Sequence, residues 1–253
     1  MSTGYAMLVA SAWPALEEAA RGPWTFRYAR GVTKRANSVL APGVPDDVDA
    51  AVDAAEDFYA ARGLPCVFTV TDEDLDRELA GRGYRVADPT LLMTAPLPAS
   101  RPGTGGGRDE PGGSGVPGVE LADAPDAAWV GTWWAVDGGR HAGEDARRVG
   151  ERILTGVPAV YASARDPESP GDGPGAVGRA VRQGDSLGVY CMATRPEARR
   201  KGLARRVLRA LMACGDGARE AYLAVTEANA GARALYESEG FTVRGGYHYR
   251  VKP

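Results

Sequence analysis

The chain has 253 residues, enough for one large or two ordinary domains, and its 44% hydrophobic and 25% charged content is that of a globular protein with a sizeable core. A formal net charge of -3 removes any global electrostatic reason to expect nucleic acid or an anionic membrane as partner, so a basic site must be local. Three widely spaced cysteines (Cys66, Cys191, Cys214) without a CxxC pair, and only His141 and His248, argue against disulfides, zinc or any other metal.

The first twenty residues, MSTGYAMLVASAWPALEEAA, hold no basic stretch before an apolar run, and no segment approaches the roughly 18 apolar residues of a membrane span. The expected location is cytoplasmic. WTFRYARGVTKRANSVL then sets Arg27, Arg30, Lys34, Arg35 and Asn37 among aromatic and apolar residues. It reads as a polar β-surface, with the lining of a substrate cleft as the other reading. Val48 to Arg62 has apolar residues at helical spacing, and CVFTV (Cys66 to Val70) reads as a buried strand. A short helix from Asp74 to Arg82, closed by Gly83, and one or two strands in RVADPTLLMTAPL complete this half.

From Pro98 to Gly118 the sequence PASRPGTGGGRDEPGGSGVPG has almost nothing apolar to bury and cannot offset its own ordering entropy, which predicts a flexible linker. Residues 1–97 and 119–253 are therefore expected as separate domains. RDPESPGDGPG (Arg165 to Gly175) is expected as a long hairpin loop between two strands of the second. Further on, Leu203 to Cys214 is an amphipathic helix, AYLAV (Ala221 to Val225) a strand, Ala230 to Glu239 a helix, and FTVRGGYHYRV the last strands. The two halves share one order, Val70-Thr71 through Gly83-Tyr84 echoing Val225-Thr226 through Gly240-Phe241, which suggests tandem copies of one α/β unit.

The chemistry concentrates in GVYCMATRPEARRKGLA, Gly188 to Ala204. An apolar strand leads into Arg199-Arg200-Lys201-Gly202-Leu203-Ala204, and a helix starts at once. Consecutive N–H groups, a positive helix end, a glycine permitting close approach and nearby cations are what an anionic phosphate group needs. Seven Arg/Lys residues stand between positions 195 and 209 against one acid, Glu197. Arg205, Arg206 and Arg209 also fit a merely solvated helix face.

The loop R-x-x-G-x-A resembles the acetyl-CoA pyrophosphate loop of the GNAT superfamily. Downstream, NAGARALYESEGF (Asn229 to Phe241) resembles that superfamily's N-x-x-A-x-x-L-Y-x-x-x-G-F motif at every specified position. The resemblance covers roughly Val119 to Pro253 and implies a GNAT fold of class α/β (α+β, mixed sheet), in two tandem units of which the second is complete. It implies acetyl-CoA as cosubstrate, no metal, and N-acetyl transfer by direct attack of a primary amine of a small molecule, peptide or protein. No nucleic acid or membrane partner is expected, and a homodimer is left open. In the family's arrangement the strand at Cys191, Met192 and Ala193 splays and offers backbone groups to the pantetheine arm and thioester. Arg199, Arg200, Lys201, Gly202, Leu203 and Ala204 cradle the pyrophosphate, Asn229 caps its helix and contacts the cofactor, and Tyr236 is the general acid that protonates the leaving thiolate. A core tyrosine is the other reading of Tyr236.

Cys191 lacks a neighbouring histidine to activate it, and a covalent route is not expected. Glu120, Asp137, Glu144 and Asp185 are undistinguished candidates for the general base. The first copy has two prolines and Asp46, Asp47 and Asp49 in place of a cradle, and Leu79-Ala80 is read opposite Leu235-Tyr236, which makes that copy degenerate. In outline the chain resembles tandem-GNAT acetyltransferases of bacteria such as mycothiol synthases. Acyl transfer to a cysteinyl amine and a non-catalytic acyl-CoA sensor are the alternative functions.

Overall fold

The computed structural model describes residues 2–98, 115–138, 145–169 and 173–253. The first half comprises α1 (Ser2–Ser11), β1 (Glu17–Arg21), β2 (Trp24–Tyr28), a 3₁₀ turn (Lys34–Ala36), β3 (Val39–Leu40), α2 (Val48–Ala60), β4 (Val67–Val70), α3 (Glu73–Gly81) and β5 (Arg85–Pro96). The second comprises β6 (Val119–Ala122), α4 (Ala127–Trp133), a π turn (Trp134–Gly138), α5 (Ala146–Leu154), β7 (Val160–Arg165), β8 (Pro174–Gln183), β9 (Ser186–Thr194), a 3₁₀ turn (Pro196–Ala198), α6 (Leu203–Ala213), β10 (Glu220–Thr226), α7 (Ala230–Ser238) and β11 (Thr242–Val251). Most of the expected linker, and Glu144 and His141, lie outside the described residues. β7 and β8 pair antiparallel as a hairpin, although residues 170–172 of its loop also lie outside them.

All eleven strands of the described residues form one mixed sheet in the order β1-β2-β3-β4-β11-β5-β10-β9-β8-β7-β6. Its centre is an exchange. β5, the last strand of the first half, inserts between β10 and β11, while β11, the last strand of the second, pairs with both β4 and β5. Each half thus supplies a strand to the other, so the two share one hydrogen-bonded ladder in addition to packed side chains. No described helix is long and apolar enough to cross a membrane.

One sheet face carries α6, where Leu203, Val207, Ala210 and Leu211 meet Ala162, Ala180, Val189 and Leu223 in the main core. Apolar residues recur at three- and four-residue steps along α6, so one stripe buries while Arg205 and Arg209 reach out to Glu239. The opposite face is covered by α4 and α5, through Trp129, Trp133, Val149 and Ile153, and by α1, through Val9. α2 buries Val52, Ala55 and Tyr59 against Phe68 of β4.

α3 of the first half and α7 of the second end in the same way. The Tyr84 N–H donates to Leu79 O at 3.0 Å, the Phe241 N–H donates to Tyr236 O at 3.0 Å, and a left-handed glycine (Gly83, φ 83°; Gly240, φ 87°) precedes each aromatic. This alignment corrects the sequence register: Leu79, not Ala80, stands where the second copy has Tyr236.

The polar β-surface expected from Trp24 to Leu40 is also corrected. Arg27 is 1% exposed and Asn37 is 5% exposed. Arg27 donates to the carbonyls of Ala10, Trp13 and Arg35 and to Glu18, and Asn37 binds the backbone of Ala29, Gly31, Val32 and Thr33. With every side-chain nitrogen hydrogen-bonded, these polar side chains are buried as an internal frame for the irregular chain between β2 and β3.

Candidate active site

Strand pairing opens the site. β9 and β10 run parallel and are bonded from Ser186↔Glu220 to Val189↔Leu223, after which they part. A bulge follows at once. Cys191 has φ 55°, and the β8 partner jumps from Arg179↔Tyr190 to Val177↔Ala193. An inserted residue inverts the alternation beyond it. Tyr190 and Cys191 consequently face one side of the sheet, while Met192 turns to the α6 side with Val189. Gly178 lies across from the bulge, where any Cβ would come within 2.6 Å of the Met192 sulfur and 2.8 Å of Val207. The bulge requires that glycine.

A cleft of about 760 Å³ fills the gap between the parted strands, and Met192, Thr194, Arg199, Arg200, Gly202, Leu203, Ala204, Asn229 and Tyr236 are among its lining residues. Gly202 precedes α6 in a left-handed conformation, φ 76°, and a Cβ there would meet no protein atom within 4 Å. Backbone geometry, not crowding by the protein, demands glycine here. Arg200 is also left-handed, φ 66°, and successive N–H groups around such a pair form a concave anion nest at the helix end. Neither Arg199 nor Arg200 forms an ion pair with a described residue, and the Arg199 Nε donates only to Thr194 O at 3.4 Å.

Lys201 differs. Its ammonium lies 2.7 Å from both Asp166 and Glu168, so it can give a phosphate only its backbone N–H. Cys191 and Ala193 likewise bring backbone rather than side chain: Ala193 is buried, and Cys191 packs on the opposite face. Burial pushes the Cys191 thiol up to about 12, which keeps it neutral and unfit as a nucleophile. Asn229 caps α7, its Oδ1 accepting from the Ala232 N–H at 3.1 Å. Tyr236 is 7% exposed, and its hydroxyl has no hydrogen-bond partner among the described residues. Burial pushes its pKa up, so the phenol stays protonated.

Of the acids considered as bases, Glu120 sits on the outermost strand near Arg165, and Asp185 pairs with Arg219 at the far end of β9. Asp137 lies in the π turn, next to the cleft-lining Val136, and its charge acts on Cys191. Val136 and Thr194 were not singled out from the sequence. Thr194 follows the bulge and could have been read from the strand. Val136 depends on a π turn that no periodicity reveals.

A strand-to-helix turn with two arginines free of ion pairs to described residues, a parted strand pair and a tyrosine hydroxyl at the cleft are in keeping with a GNAT-superfamily acetyltransferase. The family described as "Probable histone acetyltransferase Rv0428c C-terminal" matches residues 6–250, and the chain belongs to it. The chain is similar to an "Uncharacterized N-acetyltransferase YobR" of Bacillus subtilis (strain 168), 29% identical over 255 residues that cover 97% of this chain and 96% of the relative. Its fold is similar to that of a GCN5-related N-acetyltransferase from Kribbella flavida, with a TM-score of 0.65 at 18% identity, covering 100% of this chain and 96% of that one. A tandem GNAT protein from the clavulanic acid biosynthesis pathway superposes with a TM-score of 0.60 at 11% identity, over 98% of this chain and 86% of the other.

Proposed function

We propose that the enzyme transfers the acetyl group of acetyl-CoA to a primary amine by direct attack on the thioester, in one cleft per chain. The observation that carries this reading is the parting of β9 from β10 beyond Val189, which leaves backbone groups of Cys191, Met192 and Ala193 unpaired on the side where the cleft runs. The cosubstrate supplies an activated acyl group; everything else falls to the chain. Arg199, Arg200 and the N–H groups from Lys201 to Ala204 bind the pyrophosphate, with Gly202 keeping the backbone bare. Asn229 fixes the start of α7 beside it. N–H groups of the parted strand face the thioester oxygen, where negative charge develops on attack.

Two protons must move. An amine with a pKa of about 10 has to lose one before it can attack, and Asp137 is the described acid placed beside the cleft to accept it. Tyr236 holds the second on a hydroxyl that no protein group competes for, and gives it to the leaving sulfur. The first copy, residues 1–97, is a degenerate unit: Asp47 caps α2, Asp49 and Asp53 pair with Arg82, and Leu79 stands in the place of the acid. Residues 119–253 carry the cleft. The test is release of free CoA from acetyl-CoA over a panel of amines, beside a calorimetric titration. Amine-dependent release at a stoichiometry of one per chain is expected; binding without release under any amine would turn the reading toward a sensor.

A further inference from the structure

Behind the bulge, on the face away from α6, two arginines form no ion pair with a described residue. Arg179 of β8 is 0% exposed. Its Nη1 donates to Ala12 O at 2.9 Å, but its Nε and Nη2 have no partner, and its guanidinium carbon lies 5.9 Å from the ring centroids of Tyr161 and Tyr190. Arg35, in the 3₁₀ turn of the first half, lies with its guanidinium carbon 5.3 Å from the Trp13 ring. Its Nε is buried without a partner, it forms no ion pair with a described carboxylate, and the side chain keeps part of its surface open. The two charges act on the same groups, Tyr190, Tyr222 and Cys191, so they share one region. Arg27, beside them, differs in having a counter-ion, its Nε lying 3.1 Å from Glu18 Oε1. Burying like charges without an anion is strongly unfavourable, and the ordinary remedy is a carboxylate or phosphate held by the guanidinium.

This deficit abuts Cys191, whose neighbour Met192 borders the cleft assigned to the thioester. We propose that the anion is delivered by the acceptor: the substrate is an amine that carries its own carboxylate, paired with Arg35 from the degenerate half, while Arg179 supports it from beneath as a positioning residue. The inference rests on the acetyl-transfer reading above. It gives the first half a part in substrate choice, and it disfavours lysine-rich peptides, whose charge Arg35 and Arg179 repel.

The experiment compares amino carboxylic acids with their own carboxamides, next to a lysine-rich peptide, as acceptors for the wild-type enzyme. The acid of the best pair should show a KM lower by about tenfold or more at similar kcat. In Arg35→Met, checked for unchanged acetyl-CoA affinity, that preference should vanish, and Arg35→Lys should restore part of it. Equal use of acid and amide by the wild type, or better use of the basic peptide, overturns the proposal without dependence on any variant. Should no amine release CoA, the acetyl-transfer reading has failed and the anion site is judged alone. A saturable rise in the Tm of the wild type with the amino acid over chloride at equal ionic strength, absent with the amide and in Arg35→Met, supports it. No such rise overturns it.

Discussion

The Lys201 ammonium lies 2.7 Å from the Asp166 carboxylate, so the last cation of the Arg-Arg-Lys run ties the β7–β8 hairpin to the start of α6 instead of facing the cleft. Asp166, 3% exposed, is held below the ordinary carboxylate range by this ammonium. Lys201→Met should therefore lower the Tm while leaving CoA affinity within about twofold. Arg200→Ala should do the reverse, weakening CoA by about fivefold or more with a dependence on salt and little change in melting. Calorimetry beside thermal denaturation of both variants checks the division.

Gly202→Asn separates backbone conformation from steric access. Asparagine tolerates the left-handed region better than other side chains, and no protein atom blocks a Cβ at this position. Stability should fall only slightly, whereas a side chain standing over the nest should weaken CoA by about tenfold or more. An unchanged Kd would remove Gly202 from the cradle.

Tyr236→Phe removes one hydroxyl that has no hydrogen-bond partner among the described residues. Its Tm and acetyl-CoA affinity should stay close to wild type, and kcat should drop by about 10²-fold. Burial raises the phenol's pKa, so the wild-type rate should show no alkaline loss from this group up to about pH 10. Wild-type turnover in the variant would leave water as the proton source.

Asp76 of α3 binds Arg250 of β11 through both oxygens, at 2.7 and 2.8 Å, and His248 through one. The Arg250 hydrogen bonds lower its pKa to about 2. Folded below unfolded, this pKa contributes stability that is complete above about pH 4 and fades as the pH falls toward 2. Asp76→Asn should lose a constant increment of stability at pH 5 to 8, and its denaturation curve should converge on that of the wild type near pH 2.

What could be read from the sequence was local. The nest and the α7 motif each occupy one contiguous segment, where residue type and spacing define both cap and glycine positions. The exchange of β5 and β11 could not be read, because Met93 pairs with Val243 across most of the chain and an apolar strand names no partner. Arg27 and Asn37 misled by composition: a polar residue's burial depends on acceptors such as Ala10 O and Trp13 O, which lie in another segment. Val136 reaches the cleft from a turn at the end of the tryptophan-rich stretch that holds Trp129, Trp133 and Trp134, whose pattern fits a core helix equally well.

The exchanged strands also set an order of events during synthesis. β4 and β5 emerge from the ribosome early, yet the strand that lies between them, β11, begins only at Thr242, far along the chain from the end of β5 at Pro96. Until β11 has been made, β4 and β5 expose unpaired edges to other nascent chains. The middle of the sheet can close only once β11 is available, so a ribosome stalled within α7 holds a chain whose two halves cannot yet join.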